Sequence, residues 1–260
     1  MHQTKIAVNS AIKDFLEEKV SKYNTSVFIE SDPISIPHQY SIKEDIEVSG
    51  FLTATISWGS RPQIIKSAQK IMSLMGNSPY DFVMSANQNQ LKRFDGFVYR
   101  TFQSGDMKYF LSGLRNIYET HGGLESVFSK YATHDSVQPA IHHFRNHFFE
   151  MRHPARTEKH ISDPMKGSAA KKINMYLRWL VRKDKRGVDF GLWTKIKPAQ
   201  LSCPLDVHSG NAARKLGLLN RIQNDAKALA ELDSNLRAMD ANDPVKYDFA
   251  LFGLGVFENF

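Results

Sequence analysis

A single cysteine, Cys203, in 260 residues leaves no partner for an intramolecular disulfide and cannot supply a four-cysteine iron–sulfur cluster. It suits a reducing compartment. No apolar run approaches the roughly 20 residues of a membrane span, and the N-terminus lacks the apolar core of a signal peptide. A cytoplasmic protein without membrane contact is therefore expected. Strand-like alternation is nearly absent, and there is no internal repeat or low-complexity linker. Helices remain as the material for a core.

That material is ample, since 42% of the residues are hydrophobic and the length suits one large domain. The formal net charge is +7, which favours an anionic partner, nucleic acid first. Ile6, Ala7, Ala11, Ile12, Phe15, Leu16 and Val20 recur at helical spacing and predict an amphipathic helix over 4–23. Pro33 and Pro37 make 25–40 irregular. A strongly apolar helix follows over 43–58, in which Gly50 and Ala54 would let another helix approach closely. Gly59 to Pro62 break it before a second helix over 63–75. Further helices run over 94–131, with Gly122 and Gly123 as a turn, over 221–239, and over 247–257 behind Asp243-Pro244.

Two stretches carry the candidate chemistry. Over 169–181, Ile173, Leu177, Leu180 and Val181 would face inward, while Lys171, Arg178 and Arg182 share another face because they are spaced by near-whole turns. Three cations on one face suit a phosphodiester backbone. In the string PLDVHSGNAARKLGLL, residues 204–219, Asp206 is a favoured N-cap for a helix beginning at Val207, and Gly217 is its left-handed stop. A helix cap is one reading of Asp206; a functional carboxylate is the other.

Pro204-Leu205-Asp206-Val207-His208 followed by the Arg-Lys-Leu-Gly-Leu helix end resembles the segment with the catalytic Asp in helix-hairpin-helix DNA glycosylases, the endonuclease III and 8-oxoguanine glycosylase superfamily. Lys171-Lys172-Ile173-Asn174 sits where that superfamily places its nucleophilic Lys. The resemblance assigns the nucleophile to Lys171, with Lys172 as the alternative, and the carboxylate to Asp206. It also extends to a bacterial family of uncharacterised proteins with the same fold, over most of 37–257. The hairpin would be 162–168, whose glycine-rich form in the superfamily holds a DNA phosphate; here only Gly167 remains, with Lys166 beside it. The pattern over 45–83 is similar to a helix pair whose turn borders the lesion pocket, which would place Trp58 and Arg61 at a flipped or orphaned base. Residues 183–198 are an insertion relative to compact glycosylases, with Trp193 packing it onto the helices. Asp189-Phe190-Gly191 within it is no kinase signature, because the glycine-rich and His-Arg-Asp loops are missing.

What the resemblance implies is an all-α, helix-hairpin-helix glycosylase-like bundle, a monomer with two helical lobes (about 1–40 plus 141–260, and 41–140) and a cleft between them. Its function would be excision of a damaged or modified base from duplex DNA by base flipping, with or without lyase activity. Lys166, Gly167, Arg178, Arg182, His208 and Arg61 would contact DNA. A non-catalytic nucleic-acid-binding protein of the same fold is one alternative, and a metal-dependent hydrolase using the His cluster is the other. No cofactor is expected. His143, His147 and Glu150 would share a helix face at a spacing a metal can use. Lacking visible convergence, the histidines from His142 to His160 are read as solvated or phosphate-facing, with no metal expected.

Overall fold

A computed structural model describes residues 10–260. Within them the chain is helical, as expected: α1 (Ser10–Tyr23), α2 (Ser26–Glu30), α3 (Lys43–Thr55), α4 (Arg61–Leu74), α5 (Pro79–Ser85) and α6 (Gln88–Leu91) come first. A two-residue hairpin, β1 (Val98–Tyr99) with β2 (Phe102–Gln103), leads into α7 (Ser104–His121), α8 (Leu124–Tyr131) and α9 (Gln138–Phe148). Then follow α10 (Lys171–Val181), α11 (Val207–Lys215), α12 (Ala226–Met239) and α13 (Tyr247–Phe257). Ile6 and Ala7 of the expected first helix lie outside the described residues. No described helix is long and apolar enough to cross a membrane.

Apolar spacing explains how these helices assemble. The larger core cluster draws Val48, Phe51 and Leu52 from α3, Phe110 and Leu114 from α7, Phe144 and Phe148 from α9, and Ile173, Leu177 and Leu180 from α10. A second cluster joins Leu16 and Val20 of α1 to Ala212 and Ala213 of α11, Leu229 and Leu232 of α12, and Leu251 and Leu254 of α13. Burying each large apolar side chain contributes about 1.5–3 kcal/mol. The small residue expected to admit a neighbour does so, since a Cβ on Gly50 would lie 3.4 Å from the Tyr176 ring, so α10 rests directly against α3.

Residues 182–206 have little regular structure and are pinned by polar contacts. Trp193, 1% exposed, donates from Nε1 to Glu47 at 2.6 Å, and Tyr118 donates to the same carboxylate at 2.7 Å. Two donors meet the hydrogen-bonding demand of a buried acid whose pKa burial raises. Trp193 thus fastens the insertion to α3.

A lysine–carboxylate cleft as the candidate active site

The turn between α3 and α4, the first turns of α10 and α11, the Asp32–Pro33 turn and the far end of α13 surround a cavity of about 610 Å³. Each wall is placed by a local rule.

Asp206 caps α11 with one oxygen: Oδ1 accepts from the amides of His208 at 2.9 Å and Ser209 at 3.0 Å, while Ser209 Oγ accepts from the Asp206 amide at 2.9 Å. The other oxygen, Oδ2, stands 3.8 Å from Lys171 Nζ. The cap and the ion pair with Lys171 thus use different oxygens of one carboxylate. Lys171 begins α10, and its ammonium also lies 3.5 Å from Met175 Sδ one turn along.

The neighbouring lysines face different surroundings, because consecutive helical positions point about 100° apart. Lys172 donates to the carbonyls of Thr55 at 2.9 Å and His160 at 3.0 Å and lies over the Trp58 ring, 4.7 Å from its centroid. Two of its three N–H donors are engaged, leaving one over at the cavity floor. Burial pushes its pKa down to about 8, and the charge on Lys171 adds to the effect.

Trp58 is half-buried, edge-on to Tyr99 and stacked on His160, whose own pKa burial lowers to about 4 despite Asp106 nearby. The indole is therefore held from behind with part of its surface left to the cavity. Arg61 stacks over Phe257 and Phe252, and its Nη1 is buried without a hydrogen-bond partner. His208 is exposed at the rim.

Lys171, Lys172, Asp206, Trp58, Arg61 and His208 therefore come together. Lys166 and Gly167 do not line this cavity but are exposed on the turn before α10, where Asp163 caps Pro164–Lys166 and the Gly167 carbonyl accepts from the Ala226 amide at 3.0 Å.

Arg178 and Arg182 correct the expectation of a basic DNA-binding face. They are only 3% and 2% exposed. Arg178 pairs with Asp189 at 3.2 Å and with Asp248; Arg182 pairs with Asp184 at 2.8 Å, Asp189 at 3.1 Å and Asp243 at 2.9 Å. Of α10, Lys171, Lys172 and Met175 line the cavity, and Arg182 falls just past the helix end in extended backbone. Beyond Met175, α13 lies across, with the Phe249 ring under Arg178; the insertion supplies Asp184 and Asp189, and α13 with the turn before it supplies Asp248 and Asp243.

The expected cavity residues missed Asp32, Ser57 and Phe252. Asp32 is a second carboxylate on the wall, 6% exposed, capping its turn through Ile34 N at 3.0 Å; burial raises its pKa against the pull of Arg178 and Lys171. An Asp before a proline signals a turn cap, and nothing in its neighbourhood signals the cavity. The histidines separate too. His142 pairs with Asp163 at 2.9 Å, His143 stacks on Tyr131, and His147 turns instead toward His121 and Glu150.

Fold and site together define an all-α protein with a lysine and a carboxylate facing each other in an aromatic-walled cleft. The chain belongs to the family described as "Protein of unknown function (DUF2400)", which matches residues 32–257. No curated protein and no solved structure compared with it matches.

Proposed function

We propose that the cleft receives a nucleotide extruded from duplex DNA and that Lys171 and Asp206 act on its N-glycosidic bond, making the protein a DNA glycosylase of the helix-hairpin-helix type. One observation carries this reading. Lys171 Nζ and Asp206 Oδ2, from elements distant in sequence, stand 3.8 Å apart on the wall of a cavity with room for a nucleotide that Trp58 also lines. As the base departs, positive charge grows on the deoxyribose, and the Asp206 carboxylate stabilises it. Lys171, passing a proton to the departing base, attacks C1′ as the N-glycosidic bond breaks; opening of the C1′–O4′ bond, with O4′ protonated, gives the Schiff base, and loss of a C2′ proton then eliminates the 3′ phosphate. The spare Lys172 donor at the floor suits a base that presents an acceptor edge.

A second reading, a non-catalytic nucleic-acid-binding protein of the same fold, is favoured by the hairpin, which keeps only Gly167. The Arg178 and Arg182 pairs also remove two cations from the surface available to phosphates. Both readings use the same cleft and predict salt-sensitive duplex binding.

Borohydride trapping on a duplex with one abasic site separates them. The wild type should cross-link, and Lys171→Gln should abolish the cross-link. Asp206→Asn should remain folded, because an amide oxygen can still cap α11, yet lose roughly 10²–10³-fold in base release on a duplex that the wild type excises. Trapping lost instead in Lys172→Gln would transfer the nucleophile to the neighbour. Duplex binding without trapping or excision of any modified base tested would favour the second reading.

A further inference from the structure

We propose that His121, His147 and Glu150 form a site for one divalent cation of the zinc class, joining the C-terminal ends of α7 and α9. This cluster shares no residue with the lysine–carboxylate cleft. His121 is the last residue of α7, His147 lies in the last turn of α9, and Glu150 follows two residues after that helix ends.

One donor atom from each residue lies within 4.8 Å of the others. His121 Nε2 is 2.8 Å from Glu150 Oε1, and His147 Nδ1 is 3.5 Å from Glu150 Oε2. An ion with bonds of about 2.0–2.1 Å in tetrahedral geometry needs donors roughly 3.3 Å apart. The spacing is therefore close to coordination with only small rotamer adjustments.

The surroundings orient the donors. Tyr131 Oη lies 3.1 Å from His147 Nε2, the nitrogen away from the carboxylate. In the tautomer whose Nε2 proton goes to Tyr131, Nδ1 presents a lone pair toward the Glu150 carboxylate and a cation between them satisfies both acceptors; in the other tautomer Nδ1 itself donates to Glu150. Asn116 donates to Glu150 Oε1 at 2.5 Å, on the same oxygen that His121 approaches, and so holds the carboxylate in place. Two helix C-termini also converge here, and their partial negative charge favours a cation. Two imidazoles and a single carboxylate select a borderline ion such as Zn²⁺ over Mg²⁺ or Ca²⁺, which require mostly oxygen. The three side chains are 19%, 26% and 38% exposed, which leaves a coordination position for water.

Calorimetric titration of the EDTA-treated, dialysed full-length protein with Zn²⁺ tests this, together with Co²⁺ as a spectroscopic substitute and thermal melting. One ion per chain should bind, Co²⁺ should give visible ligand-field bands, and Tm should rise by roughly 3–8 °C at saturating metal. His121→Gln and His147→Gln should each weaken binding at least 10-fold, whereas His143→Gln, whose ring packs on Tyr131 and His142 and is not among the three donors, should not. Glu150→Gln keeps an oxygen for Asn116 and should also lose the metal, so a folding defect in one histidine variant leaves the test intact. Sub-stoichiometric binding, or affinity unchanged in these variants, would overturn the proposal and leave a hydrogen-bonded His–Glu–His cluster.

Discussion

Lys171 and Lys172 illustrate how one step along a helix separates two chemically identical groups. Lys171 meets the free oxygen of Asp206, and Lys172 is drawn beneath Trp58 among backbone carbonyls. With its folded pKa near 8 against an ordinary 10.5, Lys172 loses its proton in the folded state while the unfolded chain still holds it. Stability contributed at this position must therefore rise with pH between those two values and be absent below about 8. Lys172→Met keeps the stem over Trp58 and removes the titration. Urea unfolding at pH 7 to 10 should show the wild type gaining ~1–3 kcal/mol on the variant as pH rises. A constant difference across that range would refute this assignment. Asp206 separates in a parallel way: Asp206→Ala should cost ~1 kcal/mol of stability through the lost cap, and Asp206→Asn only a few tenths.

At the scale of elements, the site depends on α13 lying closely against α11. A Cβ on Gly255 would meet the His208 carbonyl oxygen at 2.7 Å, an atom that cannot rotate away. Gly255→Ala gains about 0.5–1 kcal/mol of helix propensity but costs about 1–3 kcal/mol in overpacking, so the net effect is destabilising. Because the displaced backbone carries His208 and adjoins Asp206, trapping should weaken as well. Gly105→Ala, in α7 with nothing within 4 Å, should instead be neutral or stabilising by up to about 1 kcal/mol. Paired denaturation curves with opposite signs would support this account; equal shifts would refute it. The same α13 closes over Arg178, which is how a periodic cationic face became internal.

For the whole molecule, the network of Arg178 and Arg182 with Asp184, Asp189, Asp243 and Asp248 ties α10, the insertion and α13 together. Removing one partner leaves buried carboxylates uncompensated. Arg178→Ala should therefore destabilise the fold by about 3–5 kcal/mol, seen as a lower urea midpoint, instead of only weakening duplex binding. A stable Arg178→Ala protein with reduced DNA affinity would restore the surface-face reading. Salt-dependent binding, where present, must come from cations that remain accessible, among them Lys166, Lys171 and Arg61.

By itself the sequence determined what repeats locally. Apolar spacing and breakers place the longer helices but not the short α2, α5 and α6 or the hairpin at 98–103, Asp206 and Gly217 bracket α11, and one cysteine leaves neither a four-cysteine cluster nor an intramolecular disulfide. Such features depend on neighbours a few positions away, which a linear reading sees. Only the tertiary structure decided which charged residues meet. It brought Asp32 to the cleft, buried Arg178 and Arg182, and put His121 where the helix face of His147 and Glu150 suggested His143. Charge pairing across the core depends on which elements cover one another, and helical period leaves that cover undetermined.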